Sequence, residues 1–257
     1  MRLRSAARRL APALLLALAA AQPPRISRDP EGPPERDWTG VYGLRLRMGT
    51  LTRLPLLGSA HSVTTTLVLA SVRRGPSGWV QAQRVCDVRI DASVPMTVPP
   101  GFVASLPHQE FPAAFPTSIA GSPYLLDLGV DAMGYDPTRS GGRVPERASD
   151  PSVRDSDGDG QPGATVVGHF PLFGAVSIYF AQRLHLVLRG TQVAPGRIAG
   201  ALEVRELQQR TLGASSRFFR RSLQVRPDAA ASTFVMVPLA PTATCDDVRR
   251  RESALFR

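Results

Sequence analysis

Between Tyr42 and Met48 the apolar side chains fall on every second position, with Arg45 and Arg47 between Leu44, Leu46 and Met48. A period of two turns one face to a core and the other to water, which predicts a β-strand and a fold that begins near Trp38. The run Ser62 to Val72 gathers three threonines ahead of aliphatic residues and predicts a second strand. A third is predicted from Trp79 to Asp91, beyond the turn Arg73-Arg74-Gly75-Pro76-Ser77-Gly78. There Val80, Ala82, Cys86, Val88 and Ile90 alternate with Gln81, Gln83, Asp87 and Arg89. Three strands joined by short turns form an antiparallel meander.

The pattern changes from Ala92 to Arg154, which holds ten of the 24 prolines. Proline has no N–H to give to a ladder, so no strand longer than Tyr124 to Leu128 is expected there. Phe102, Val103, Leu106, Phe111 and Phe115 lie between the prolines and imply a packed insertion, of the kind that serves as a lid or binding loop. Pro99-Pro100 is suited to open one short helix over Gly101 to Leu106. Strands are predicted again at Ala164 to Phe170, Ala175 to Arg189, Arg197 to Gln209 and Ser232 to Leu239. Gly200, inside the third of these, suggests a bend or bulge.

About seven to nine antiparallel strands with little helix predict an all-β fold. Closing the meander into a single β-barrel over residues 38–245 removes both sheet edges and brings the chain ends together. On this reading residues 92–154 are the Pro-rich insertion, 155–163 a separate acidic loop and 246–257 a C-terminal tail.

The N-terminus has a different character. Arg2, Arg4, Arg8 and Arg9 precede an apolar run from Leu10 to Ala21 that ends in three alanines, the pattern of a secretory signal peptide over residues 1–21. The run is about a dozen residues, short of the ~20 needed to span a bilayer, and no later stretch reaches that length. The expected product is secreted or periplasmic and not membrane-spanning. Residues 22–37, rich in proline and charge, read as a flexible leader.

There are 31 basic against 21 acidic residues, and every basic side chain is arginine; without the four signal arginines the net charge falls from +10 to +6. The rest are scattered, apart from Arg217 to Arg221 and Arg249 to Arg251. That distribution reads as a solvated basic face, and no nucleic-acid partner is expected. The two cysteines, Cys86 and Cys245, in a chain bound for an oxidising compartment, predict one disulfide. Chain-entropy arithmetic allows it about 5 kcal/mol as an upper bound.

The stretch Asp155-Ser156-Asp157-Gly158-Asp159-Gly160-Gln161-Pro162-Gly163 is the segment whose chemistry the residue order comes nearest to dictating. Three carboxylates at alternate positions followed by glycine match the first half of a loop that wraps a hard cation in oxygen. Asp155, Asp157 and Asp159 would converge on calcium, the Gln161 carbonyl would point inward, and Gly160 would take the positive φ of the turn. Further ligands would come from Asp150, Asp136, Asp131, Asp127 or water. An EF-hand is excluded, since Val166 stands where its bidentate Glu belongs. The loop resembles the Asp-rich calcium loops of secreted bacterial proteins and of thrombospondin type 3 repeats.

Asp37-Trp38-Thr39-Gly40-Val41-Tyr42 resembles the W-x-G-x-Y/W opening of lipocalin-like and other calycin barrels. The resemblance implies that the tryptophan plugs the barrel floor and that the interior binds an apolar small molecule. No catalytic residues are predicted. His61, His108, His169 and His185 form no metal-spaced pair, and no nucleophile elbow, dinucleotide fingerprint or P-loop occurs. The leading expectation is a barrel that binds an apolar or amphipathic small molecule and carries structural calcium. The alternative is a cell-surface structural or interaction module with a packed core, and a transmembrane barrel ranks third.

Overall fold

Among the described residues, 36–54, 58–117, 121–221 and 224–257, the computed structural model contains ten strands, three short α-helices and one 3₁₀ turn. The signal peptide and nearly all of the leader lie outside the described residues. The strands are β1 (Gly40–Leu54), β2 (Gly58–Gly75), β3 (Gly78–Ala92), β4 (Met96–Thr97), β5 (Gln109–Ala114), β6 (Pro123–Met133), β7 (Ala164–Phe170), β8 (Gly174–Ala194), β9 (Arg197–Ala214) and β10 (Gln224–Leu239). The helices are α1 (Pro100–Ser105), α2 (Cys245–Arg250) and α3 (Glu252–Leu255).

All strand pairings are antiparallel, and eight strands close into a ring in the order β1, β2, β3, β5, β6, β8, β9, β10 and back to β1. β8 is long enough to carry two partners on one edge, β7 along 174–180 and β6 along 182–191. β4 extends the sheet beyond β7.

The Pro-rich segment is therefore part of the wall, a correction to the expectation of an insertion without long strands. β6 runs well beyond Tyr124 to Leu128, and β5 fills the space between β3 and β6. Sheet geometry explains how the prolines fit: Pro123 opens its strand, and Pro112 lies in a strand that pairs with β3 only over Gln109–Ala113. α1 starts at Pro100, as the Pro99-Pro100 pair predicts.

The faces of β3 also differ from the simple alternation. Register shifts between Leu67 and Val68 of β2, which pair with Asp87 and Val85 and leave Cys86 as the extra residue of a bulge. Before the bulge the inward positions are Trp79, Gln81, Gln83 and Val85; after it they are Val88, Ile90 and Ala92. Val80 and Ala82 are consequently not core positions, whereas Gln81 is fully buried and accepts a hydrogen bond from the Tyr124 hydroxyl at 2.9 Å.

One end of the ring is filled. Trp38, Trp79, Phe115, Tyr124 and Phe234 interlock there, with ring centroids 5.1–5.9 Å apart along the chain of contacts. The Trp38 indole N–H donates to the Pro116 carbonyl at 2.8 Å. Glycine is required where β8 and β9 cross this plug: a Cβ on Gly200 would lie 2.0 Å from the Arg189 carbonyl oxygen, and one on Gly190 would lie 2.7 Å from the Phe234 ring. The glycine expected to mark a bend thus permits a close backbone approach.

The segment expected as a tail folds as α2 and α3 against the outside of the ring. Val248 and Phe256 are buried with Leu67, Cys86 and Val237. Thr244 and Asp247 form a capping box at the start of α2, and the Arg249 guanidinium donates to the Cys86 carbonyl at 2.7 Å. Cys86 and Cys245 are disulfide-bonded with their Cα atoms 5.1 Å apart, across 159 residues of sequence.

Candidate functional site

Beyond the aromatic plug the inner faces of the strands stop meeting, because threonine, serine and aliphatic side chains replace the rings. The result is a cavity of about 380 Å³. Met48, Val88, Ile90, Leu184 and Leu207 form its apolar wall, and Thr64, Gln182 and Gln209 add polar groups. β5 pairs only with the part of β3 near the plug, so the wall between β3 and β6 is completed by residues 93–107. α1 contributes Phe102, which packs on Phe180 with ring centroids 6.4 Å apart. Part of the segment read as a lid lines the wall of the cavity.

Among the described residues, no arginine lines this cavity. Its titratable lining residues are Asp131 and His61. The latter is exposed and stands 3.9 Å from Asp228. Burial pushes the Asp131 carboxyl above the ordinary carboxylate range, against a single backbone hydrogen bond from Ala132. The Gln83 side-chain amide also lines the cavity, and its buried N–H₂ has no protein partner. An apolar chamber with one acid and one unmatched donor can enclose a small molecule that has an apolar body and a polar end.

The second site is the acidic loop between β6 and β7. One oxygen from each of Asp155, Asp157 and Asp159 lies within 4.8 Å of the others. The backbone organises the cluster. Asp155 accepts from the N–H groups of Gly158 (2.8 Å), Asp159 (3.2 Å) and Gly160 (2.8 Å), and Gly160 has the expected positive φ of +80°. Asp159 accepts from the Gln161 N–H and the Thr165 hydroxyl, and Asp157 from the Thr165 N–H. Gln161 is exposed, and its placed contact is through that N–H.

The electrostatics separate Asp155 from Asp157. Burial would raise Asp155, but its backbone N–H donors hold it below the usual range. Asp157 is pushed above it, first by burial and then by the charges of Asp159 and Asp155. Its Oδ1 is buried with no hydrogen-bond partner. Three adjacent carboxylates, one of which has an oxygen with no hydrogen-bond partner, suit a hard divalent cation.

The other acids considered as ligands serve elsewhere. Asp127 pairs with His185 at 2.7 Å, Asp136 binds Arg154 and Arg139, Asp150 binds Ser152, and Asp131 faces the cavity. The histidines do not converge: His169 pairs in register with Ala175 and contacts Thr97. The sequence reading missed Asp131 and Gln83 as cavity groups, since inwardness depends on bulges at residues 127–130 of β6 and at Cys86. Comparison with protein families, curated proteins and solved structures finds no match for this chain.

Proposed function

We propose that the ring is a lipocalin-like β-barrel that works outside the cytoplasm and binds one apolar or amphipathic small molecule in its interior. The cavity carries this reading: about 380 Å³ of mainly apolar space lies between an aromatic floor and an open mouth. Trp38, the tryptophan of the W-x-G-x-Y opening, is fully buried in that floor, in accord with the role the resemblance implies. The disulfide favours an oxidising compartment. Outward positions of β8 and β9 carry the ion pairs Arg183–Glu206 and Arg189–Glu203, which favours a barrel standing in water over one embedded in lipid. Among the described residues no helix is long and apolar enough to cross a membrane.

Calcium at Asp155, Asp157 and Asp159 would serve structure. The ion would neutralise three adjacent carboxylates, supply a partner for Asp157 Oδ1 and fix the connection that leads into β7. The rival reading, a packed interaction module, asks for an apolar docking patch on residues 92–154. Among the described residues, Val130 is the large exposed apolar side chain in that range.

Fluorescence titration with the neutral apolar probe N-phenyl-1-naphthylamine tests the binder. One saturable site is expected, lost when Val88→Phe fills the cavity. No binding, or binding unchanged in Val88→Phe, removes the cavity from the account.

A further inference from the structure

At the mouth of the ring, two connections that are distant in sequence place their aromatic rings together. The turn from β7 to β8 brings Phe170, Leu172 and Phe173, and the 3₁₀ turn after β9, Arg217–Phe219, brings Phe218 and Phe219. Phe170 stacks on Phe219 with centroids 4.2 Å apart, and Phe173 lies 5.3 Å from Phe218 and 5.4 Å from Phe219. The cluster is built but uncovered: Leu172 is 91% exposed, Phe218 65% and Phe173 47%. Contiguous exposed apolar surface of this kind marks an interaction site.

Charge defines the partner. Arg217 lies over the Phe218 ring at 5.2 Å, and Arg220 and Arg221 follow it. No acid occurs from 160 to 202 or from 207 to 227, the stretches that contain both connections. Phe218 and Phe219 therefore divide a basic run that composition alone assigned to a solvated face. Phe170 also lines the cavity, so the patch is continuous with its mouth. Toward that mouth β9 and β10 part, since they pair only between Ile198–Ala201 and Thr233–Met236.

We propose that this rim docks the protein, mouth first, on an anionic lipid bilayer. Leu172, Phe173 and Phe218 enter the boundary between headgroups and acyl chains, and Arg217, Arg220 and Arg221 hold lipid phosphates. The arrangement favours a bilayer over two rivals. A two-fold contact with a second copy would oppose arginine to arginine, and neither connection carries an acid of its own to pair them. Single-stranded nucleic acid needs free aromatic faces, but these rings pack on one another, and Leu172 has no π-face. Two weak signals side by side, apolar insertion and basic attraction, are what reversible membrane attachment needs.

The test is co-sedimentation of the purified protein with vesicles of phosphatidylcholine alone and of phosphatidylcholine containing phosphatidylglycerol. Binding is expected only where phosphatidylglycerol is present. It should weaken by roughly tenfold or more in Leu172→Ser/Phe173→Ser/Phe218→Ser and in Arg217→Ser/Arg220→Ser/Arg221→Ser. Circular dichroism melts of both variants should match the parent, because the substituted side chains are exposed. Three results would overturn docking: no binding to phosphatidylglycerol vesicles, binding that neither variant changes, or loss of a dimer in place of vesicle binding. Capture of single-stranded DNA without vesicle binding would assign the rim to nucleic acid instead.

Discussion

Gly101, in the first turn of α1, passes so close to Asp157 that a Cβ placed on it would lie 2.9 Å from the Asp157 carbonyl oxygen. The acidic loop and the helix that walls the cavity are thus in direct backbone contact. In an open helix, Gly→Ala stabilises by about 0.5–1 kcal/mol. Here the sign should reverse: Gly101→Ala should destabilise by about 1–3 kcal/mol, since the clash is with backbone and one partner must shift. A chemical denaturation curve checks the sign, and a stabilised variant would show that loop and helix move freely.

Calcium should raise the melting temperature and EDTA should lower it. Asp157→Asn should remove that response while making the metal-free protein slightly more stable. An amide in place of the raised carboxyl relieves the repulsion from Asp155 and Asp159. An identical melt with calcium and with EDTA in the parent protein would exclude the ion.

Asp131 gives a pH dependence with a definite sign. Burial raises its folded pKa, so the native state keeps this proton to higher pH than the unfolded chain does. Stability contributed by this group is full below the ordinary carboxylate range and falls as pH rises through the folded value. Asp131→Asn should therefore raise the melting temperature at pH 7 and leave it unchanged near pH 3. Each kcal/mol gained corresponds to about 2–4 °C in a chain of this size.

Replacing both cysteines by serine should cost about 2–5 kcal/mol, because the bond closes most of the chain. The loss should appear first at α2 and α3, whose contact with β3 the bond fixes. Hydrogen exchange should show those helices opening while the amides of β1 and β2 stay protected.

Much of the wall was legible because its strands obey one rule. Tyr42 to Met48 alternate, and β1 forms there; Ala164 to Phe170 is β7 to the residue. Bulges were not legible. The extra residue at Cys86 turns half of β3 over, so Gln81, polar in the pattern, sits in the plug. Tyr124 to Leu128 marked the start of β6, but its extension to Met133 and the whole of β5 were hidden in a segment whose prolines matter only in a fully paired strand. The helix start at Thr244 had a readable signal, Thr-Cys-Asp-Asp, that strand periodicity overshadowed. For the loop, the spacing of Asp155, Asp157 and Asp159 foretold the cluster, but no pattern along the chain announces that Asp157 would rest on Gly101. Cavity and rim arise between segments far apart in sequence, beyond the reach of any local period.

The pairing of β1 with β10 has a kinetic consequence. Val41 meets Leu239 and Arg53 meets Gln224, so the first strand waits for the last before its second edge is satisfied. Until then a fifteen-residue strand presents bare N–H and C=O groups to any neighbouring molecule. Refolding from denaturant should therefore be slow, and its yield should drop as the protein is made more concentrated.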